Sequence, residues 1–174
     1  NNEAFQDLDF SNLKATMSGG MALTEDAAKM WARVTGCDIV EGYGLTETSP
    51  MLLANSGQAI QLGTIGVAVP STEVRIVDES GADQPVGEAG ELLVRGPQVM
   101  LGYWQRPEAT AEVLSEEGWF STGDIAVAQP DGYVKIVDRK KDMIIVSGFN
   151  VFPNEVEAAM VMHPNIVECA VVGE

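Results

Sequence analysis

The stretch "IAVAQPDGYVKIV" constrains the fold more than any other part of the chain. Two alternating apolar runs flank Pro130, Asp131 and Gly132, residues whose backbone preferences suit a tight reversal. This pattern predicts an antiparallel hairpin. From about Ile60 onward the surrounding text is similar: "TEVRIVD", "GELLVRG", "DIAVAQ" and "YVKIVDR" are short β-type runs divided by "SGADQPVGEAG" and "PDG". This region is expected to be mostly β. One helix interrupts it in "RPEATAEVL", where Pro107 suits a first helical position.

Upstream the texture differs. Thr24 is placed to cap a helix running to Val34, with Glu25 and Asp26 in its first turn and Gly36 past its end. Ala27, Met30, Trp31 and Val34 share a face and are expected to pack into the core. The helix lies between "LKATMSGG", read as strand then glycine turn, and the short strand "CDIV", a βαβ-like unit. After "DRKKD" the pattern switches again: "MIIVSG" as strand, "PNEVEAAMVM" as helix and "VECAVVG" as strand suggest the opening of a small separate domain. The expected fold class is therefore α/β plus β, in three parts: 1–59, 60–138 and 139–174.

Charge narrows the partners. With 26 Asp and Glu against 10 Lys and Arg, the 174-residue chain carries a formal charge of -16, which repels polyphosphate backbones. This argues against nucleic acid or an anionic membrane surface as the main partner, and any phosphate must be held locally. No apolar run approaches the ~18 residues of a membrane span, and "NNEAFQDLDF" lacks the basic flank and apolar core of a signal peptide. Cys37 and Cys169 make neither a metal-ligand spacing nor a disulfide framework, and both read as buried free thiols in strands. With His163 as the one histidine, read as structural or solvent-facing, a histidine-based nucleophile system is hard to assemble. The absence of an initial Met and the abrupt stop of "VECAVVGE" suggest a piece of a longer chain.

Four short stretches carry candidate chemistry. "SGG" (Ser18, Gly19, Gly20) and "GYGLTE" (Gly42 to Glu47) each follow a short strand, where glycine lets backbone approach a ligand and hydroxyls can meet phosphate. "STGD" places the Asp124 carboxylate just before a hairpin strand; it either accepts hydrogen bonds from two ribose hydroxyls or caps a turn. "DRKKD", Asp138 to Asp142, gathers three of the ten basic residues at a junction of textures. A solvated turn is the ordinary use of such a run.

In their order and spacing, "YGLTE", "GELLVRGPQVMLGYW", "GWFSTGDIAVAQPDGYVKIVDRKKD" and "SGFNVFPNEVE" resemble successive motifs of the AMP-forming adenylating enzymes. That superfamily comprises acyl-CoA synthetases, luciferase and peptide-synthetase adenylation domains. The segment Glu117 to Lys141 looks most like the fatty acyl-CoA synthetase motif of bacterial long-chain fatty acid–CoA ligases, although Ser121 stands where many members carry histidine.

The resemblance implies an enzyme fragment. Its parts would be the end of an α/β nucleotide-binding subdomain, a distorted β-barrel subdomain, and a hinge with the start of a small α+β lid domain. It implies that the "SGG" loop and Gly42-Tyr43-Gly44 flank adenine, with Tyr43 stacking on the base. Thr46 would contact phosphate, Glu47 would help bind Mg²⁺, and Asp124 with Arg139 would hold the ribose of ATP or AMP. Lys141 matches the hinge, Gly148 the glycine lining the pantetheine tunnel for CoA, and "GTIGVAVP" the edge of the acyl pocket. Lys140 has no implied role.

The implied reaction activates a fatty carboxylate with ATP to an acyl-adenylate and passes the acyl group to CoA. The partners are those small molecules, and the setting is cytoplasmic, compatible with peripheral association at the inner face of the membrane. The phosphate loop and the C-terminal catalytic lysine of the family fall outside these residues, so the fragment alone is expected to be inactive. Alternatives are a fatty acyl-AMP ligase or another acid–CoA ligase of the superfamily and, more distantly, a non-catalytic β-rich interaction module.

Overall fold

The computed structural model describes residues 3–21, 23–163 and 165–173. They form two compact units, Asn1–Thr72 with Gly96–Leu101 and Glu73–Arg95 with Gly102–Glu174.

The first unit holds a four-stranded sheet ordered β1 (Thr16–Ser18), β2 (Ile39–Gly44), β3 (Met51–Ala54) and β4 (Val67–Ala68). β1 and β2 are parallel, joined through helix α2 (Glu25–Thr35), so the βαβ expectation holds. α2 starts where Thr24 Oγ1 accepts a hydrogen bond from the Ala27 N–H, and it ends at Gly36 with φ +70°. A short helix, α1 (Glu3–Gln6), precedes β1, and Phe5 stacks against Phe10 and Trp31.

The face of α2 differs from the expected one. Ala28 and Thr35 are buried, whereas Ala27 and Met30 are exposed. The inward face centres on Ala28, Trp31 and Thr35, with Trp31 and Val34 of the expected stripe half-buried, and the indole N–H of Trp31 donates to Thr16 Oγ1 in β1 at 3.2 Å. A polar ring edge is better served there than by an all-apolar stripe. Cys37 and Cys169 are free but only half-buried, and neither lies in a strand. β2 also runs further than the short strand expected at "CDIV", carrying Gly42-Tyr43-Gly44 within it. β3 is buried on both faces, with Leu52 and Leu53 both inaccessible to solvent.

The second unit is built on an antiparallel sheet ordered β5 (Glu73–Val77), β6 (Ala89–Arg95), β7 (Phe120–Ala128) and β8 (Val134–Arg139). All four strands fall on runs read from the sequence. The sheet is open, with β5 and β8 at its edges, so among the described residues there is no closed barrel. Along β6, Gly90, Leu92 and Val94 are buried in strict alternation, the period of a half-buried strand. The β7–β8 turn forms as the Pro-Asp-Gly text predicts: the Gln129 N–H donates to the Tyr133 carbonyl at 2.7 Å, and Asp131 Oδ1 accepts from the Tyr133 N–H at 3.2 Å.

Helix α3 (Pro107–Val113) begins at Pro107 as expected. Beyond β8, β9 (Ile144–Val146) pairs antiparallel with β10 (Phe149–Val151), and helix α4 (Pro153–Val161) follows. The sequence reading passed from "MIIVSG" straight to the helix and so missed β10. The two-residue turn has Ser147 at φ +52° and Gly148 at φ +85°, the left-handed pair that tight hairpins require. Residues 167–173 form no strand, contrary to expectation, and Glu174 lies outside the described residues. An apolar, β-prone run becomes a strand only where partner backbone is available. Here the Val171 N–H bonds the Glu157 carboxylate instead, at 2.8 Å.

Asp138 secures α4. Its side chain is buried and accepts from the Arg139 N–H at 2.8 Å, the Asn154 N–H at 3.0 Å and the Asn154 side-chain amide at 3.1 Å. Phe152, at the N-cap, offers no side-chain bond, so the carboxylate from β8 supplies the acceptor that the first turn needs.

Candidate nucleotide site

In the first unit, β1 ends at Ser18, paired to Glu41, and continues into Gly19 and Gly20, while β2 runs on through Gly42-Tyr43-Gly44. A cavity of about 610 Å³ opens there. Ser18, Gly19 and Gly20 line it from the end of β1, and Gly42, Tyr43 and Gly44 from the end of β2. Thr46 and Glu47 complete it from a 3-10 turn over Thr46–Thr48. A crevice at the carboxyl ends of parallel strands is where α/β sheets accept ligands, and this volume lies within the ordinary range for small-molecule sites. All eight residues singled out in "SGG" and "GYGLTE" therefore converge on one cavity.

The local fold explains the glycines. The register slips between Tyr43 and Gly44, and β3 returns at once against β2. A Cβ on Gly44 would stand 1.5 Å from the Pro50 carbonyl oxygen, so only glycine fits. Leu45, within "GYGLTE" but given no role, also lines the cavity, as do Met17, Pro50 and Met51, which were not singled out and lie within four residues of the two motifs.

Glu47 is, among the described residues, the one carboxylate lining this cavity. Among the described residues, no group of three or more His, Cys, Asp or Glu side chains converges as a metal cage. Mg²⁺ typically takes one or two carboxylates, water and substrate phosphates rather than a full protein cage, so this donor set fits it.

In the second unit, Asp124 and Arg139 face each other on β7 and β8, with the Arg139 Nε 3.9 Å from Asp124 Oδ1. Asp124 lies inside β7, not before the strand as expected, since β7 begins at Phe120. Its side chain is largely buried while that of Arg139 is exposed. Lys140 has a partner that the sequence did not suggest: its Nζ lies 2.7 Å from Glu91 Oε2 on β6. Lys141 is exposed just after β8, and Gly148 sits in the β9–β10 turn. His163 is exposed, as expected.

The chain belongs to the AMP-binding enzyme family, whose model matches residues 1–104. Within it, the chain is 53% identical over 174 residues to a long-chain-fatty-acid–CoA ligase of Yersinia pestis, covering 99% of this chain and 31% of that relative. The chain thus spans about a third of the curated relatives' length. An anthranilate–CoA ligase solved with anthranoyl-AMP superposes with a TM-score of 0.86 at 34% identity, over 99% of this chain and 33% of that one. O-succinylbenzoate–CoA synthetase of Bacillus subtilis, solved with ATP and a magnesium ion, gives 0.81 at 31% identity, over 92% of this chain and 34% of that one.

Proposed function

We propose that this chain is part of an AMP-forming long-chain fatty acid–CoA ligase and supplies its adenine, ribose and hinge elements. The observation that carries the reading is the convergence of Ser18–Gly20, Gly42–Gly44, Thr46 and Glu47 on one cavity. The identity to the Yersinia pestis ligase supports the acid class.

On this reading Tyr43 stacks on adenine, the glycine backbone admits the nucleotide, and Thr46 donates its hydroxyl to a phosphate oxygen. Asp124 accepts from the ribose hydroxyls, with the Arg139 guanidinium beside it. Glu47 would hold Mg²⁺, which when bound would supply positive charge against the phosphate oxygens and ease approach of an anionic carboxylate to the α-phosphorus. The fatty carboxylate oxygen bonds to that phosphorus as pyrophosphate leaves. The CoA thiolate then attacks the acyl carbonyl and AMP departs. Both steps need positioning and charge stabilisation more than a protein nucleophile.

We assign 1–59 and 60–138 to the large domain and 139–174 to a lid that turns about Lys141 to bring Gly148 to the pantetheine. A moving lid supplies two sets of groups to one acyl phosphate in turn. The setting is cytoplasmic and compatible with a peripheral position at the inner membrane face. Among the described residues no helix is long and apolar enough to cross a membrane.

The test uses the full-length protein with ATP, Mg²⁺ and carboxylic acids from acetate to oleate, with and without CoA, and identifies products by mass spectrometry. Acyl-CoA from long chains is the expected product. Acyl-AMP that accumulates despite CoA would establish an acyl-AMP ligase. Turnover of short or aromatic acids alone would reject the long-chain assignment.

A further inference from the structure

Thr48 does not line the cavity, yet it is inaccessible to solvent and is the only fully buried polar residue among the largest such side chains of the described core. Its hydroxyl oxygen accepts from the Leu45 N–H at 2.9 Å and lies 2.8 Å from the Pro50 carbonyl oxygen, with the Leu45 carbonyl at 3.1 Å. A hydroxyl has one hydrogen. The shortest contact assigns it to Pro50, and the acceptor side holds Leu45.

Leu45 and Pro50 both line the cavity, on either side of Thr46 and Glu47. The Thr48 side chain therefore closes the loop that presents those two residues. Its backbone does the same, donating to the Leu45 carbonyl at 3.0 Å, and the Glu47 carbonyl is fixed by the Met100 N–H at 2.7 Å. Ser49 follows at φ +54°, a left-handed conformation costly for a non-glycine residue, so the reversal depends on its surrounding bonds.

We infer that Thr48 is a positioning residue that sets the reach of Thr46 and Glu47 toward the triphosphate and its metal. This inference rests on the adenylation reading. Without the hydroxyl, the Leu45 N–H and the Pro50 carbonyl lose a buried partner and the loop opens. Displacements near 1 Å in a catalytic constellation cost on the order of 100-fold in rate. Tyr43 and the strand-end glycines, on which adenine binding rests in this reading, precede the loop that Thr48 closes, so the loss is expected to fall on exchange more than on AMP affinity.

The experiment compares the full-length wild type with Thr48→Val, Thr48→Ala and Thr48→Ser. It measures ATP–pyrophosphate exchange with the preferred acid, its Mg²⁺ dependence, and AMP affinity by calorimetry. Thr48→Val is expected to lower exchange kcat by roughly 10- to 100-fold and to raise the Mg²⁺ needed for half-saturation. Its AMP affinity should stay within about threefold, and Thr48→Ser, which keeps the hydroxyl, should restore exchange.

Thr48→Ala removes the same hydroxyl without placing a methyl against the Pro50 carbonyl, and it replaces the Val variant if that one does not fold. Wild-type exchange and Mg²⁺ dependence in the hydroxyl-less variant would overturn the inference, as would equal losses in Thr48→Val and Thr48→Ser. A wild-type protein without exchange would instead sink the adenylation reading, and this inference with it.

Discussion

Three of the four glycines lining the cavity, Gly20, Gly42 and Gly44, differ in what an added methyl would meet, so alanine substitution should rank them. At Gly44 the new Cβ would lie 1.5 Å from the Pro50 carbonyl oxygen and 2.4 Å from its carbon. That backbone would have to retreat by about 1.9 Å to reach the 3.4 Å at which Cβ contacts become ordinary. Such a shift breaks the Gly44–Met51 pairing and the Thr48 hydroxyl bond to Pro50. The cost is expected to reach about 4–5 kcal/mol, the range reserved for severe backbone or core damage.

At Gly42 the obstacle is the Met51 sulfur at 2.9 Å, in a flexible side chain that can turn aside, so about 1 kcal/mol is expected. At Gly20 nothing stands within 4 Å, and φ +82° alone costs about 1–2 kcal/mol. Urea unfolding of the full-length variants, followed by tryptophan fluorescence, measures the order. The reasoning fails if Gly44→Ala is within about 0.5 kcal/mol of Gly42→Ala, because the strand ends would then not be held as tightly as the geometry requires.

Asp138→Ala removes the acceptor for two Asn154 donors and should cost about 1.5–3 kcal/mol locally. Hydrogen exchange of the α4 amides should quicken at least tenfold relative to β6, and unchanged exchange would show that the carboxylate does not secure the helix. The Arg95 guanidinium, hydrogen-bonded at 2.7 Å, holds the Glu73 carboxyl below its ordinary 4.5. A depressed carboxylate pKa stabilises the fold above pH 4.5 and loses that contribution as pH falls through the folded value. A Glu73→Gln variant should therefore differ from wild type in stability at neutral pH and converge with it in acid, a comparison made by thermal melts across pH 3–7; the exposed pair makes the difference small. The 174-residue chain alone, about a third of the length of its ligase relatives, is expected to release no AMP from fatty acid, ATP and CoA. Measurable AMP would place the necessary phosphate-handling groups within it.

Local chemistry made much of this protein legible in its sequence. The β7–β8 hairpin needed only Pro130, Asp131 and Gly132 between alternating runs, and α2 needed only Thr24 and Gly36 at its ends, because turn and cap preferences act over four or five residues. The stretches "SGG" and "GYGLTE" were singled out because glycine lets backbone approach a ligand, their roles came from the resemblance, and the fold brings both to one cavity. Tertiary structure decided what depends on partners distant in sequence. On α2, Ala28 and Thr35 rather than Ala27 and Met30 are buried, and Trp31 bonds Thr16 across the βαβ unit, contacts set by how the helix packs on its sheet. Residues 167–173 read as strand but stayed unpaired, because strand formation depends on a neighbouring backbone more than on intrinsic preference. The contacts of Lys140 with Glu91 and of Asp138 with Asn154 were likewise invisible, since they join residues that only the packed fold brings together; Asp124 and Arg139, placed together by the resemblance, meet through the β7–β8 register. Sequence determined the turns, caps and glycines of this protein, while the contacts made across its sheets determined which side chains act together.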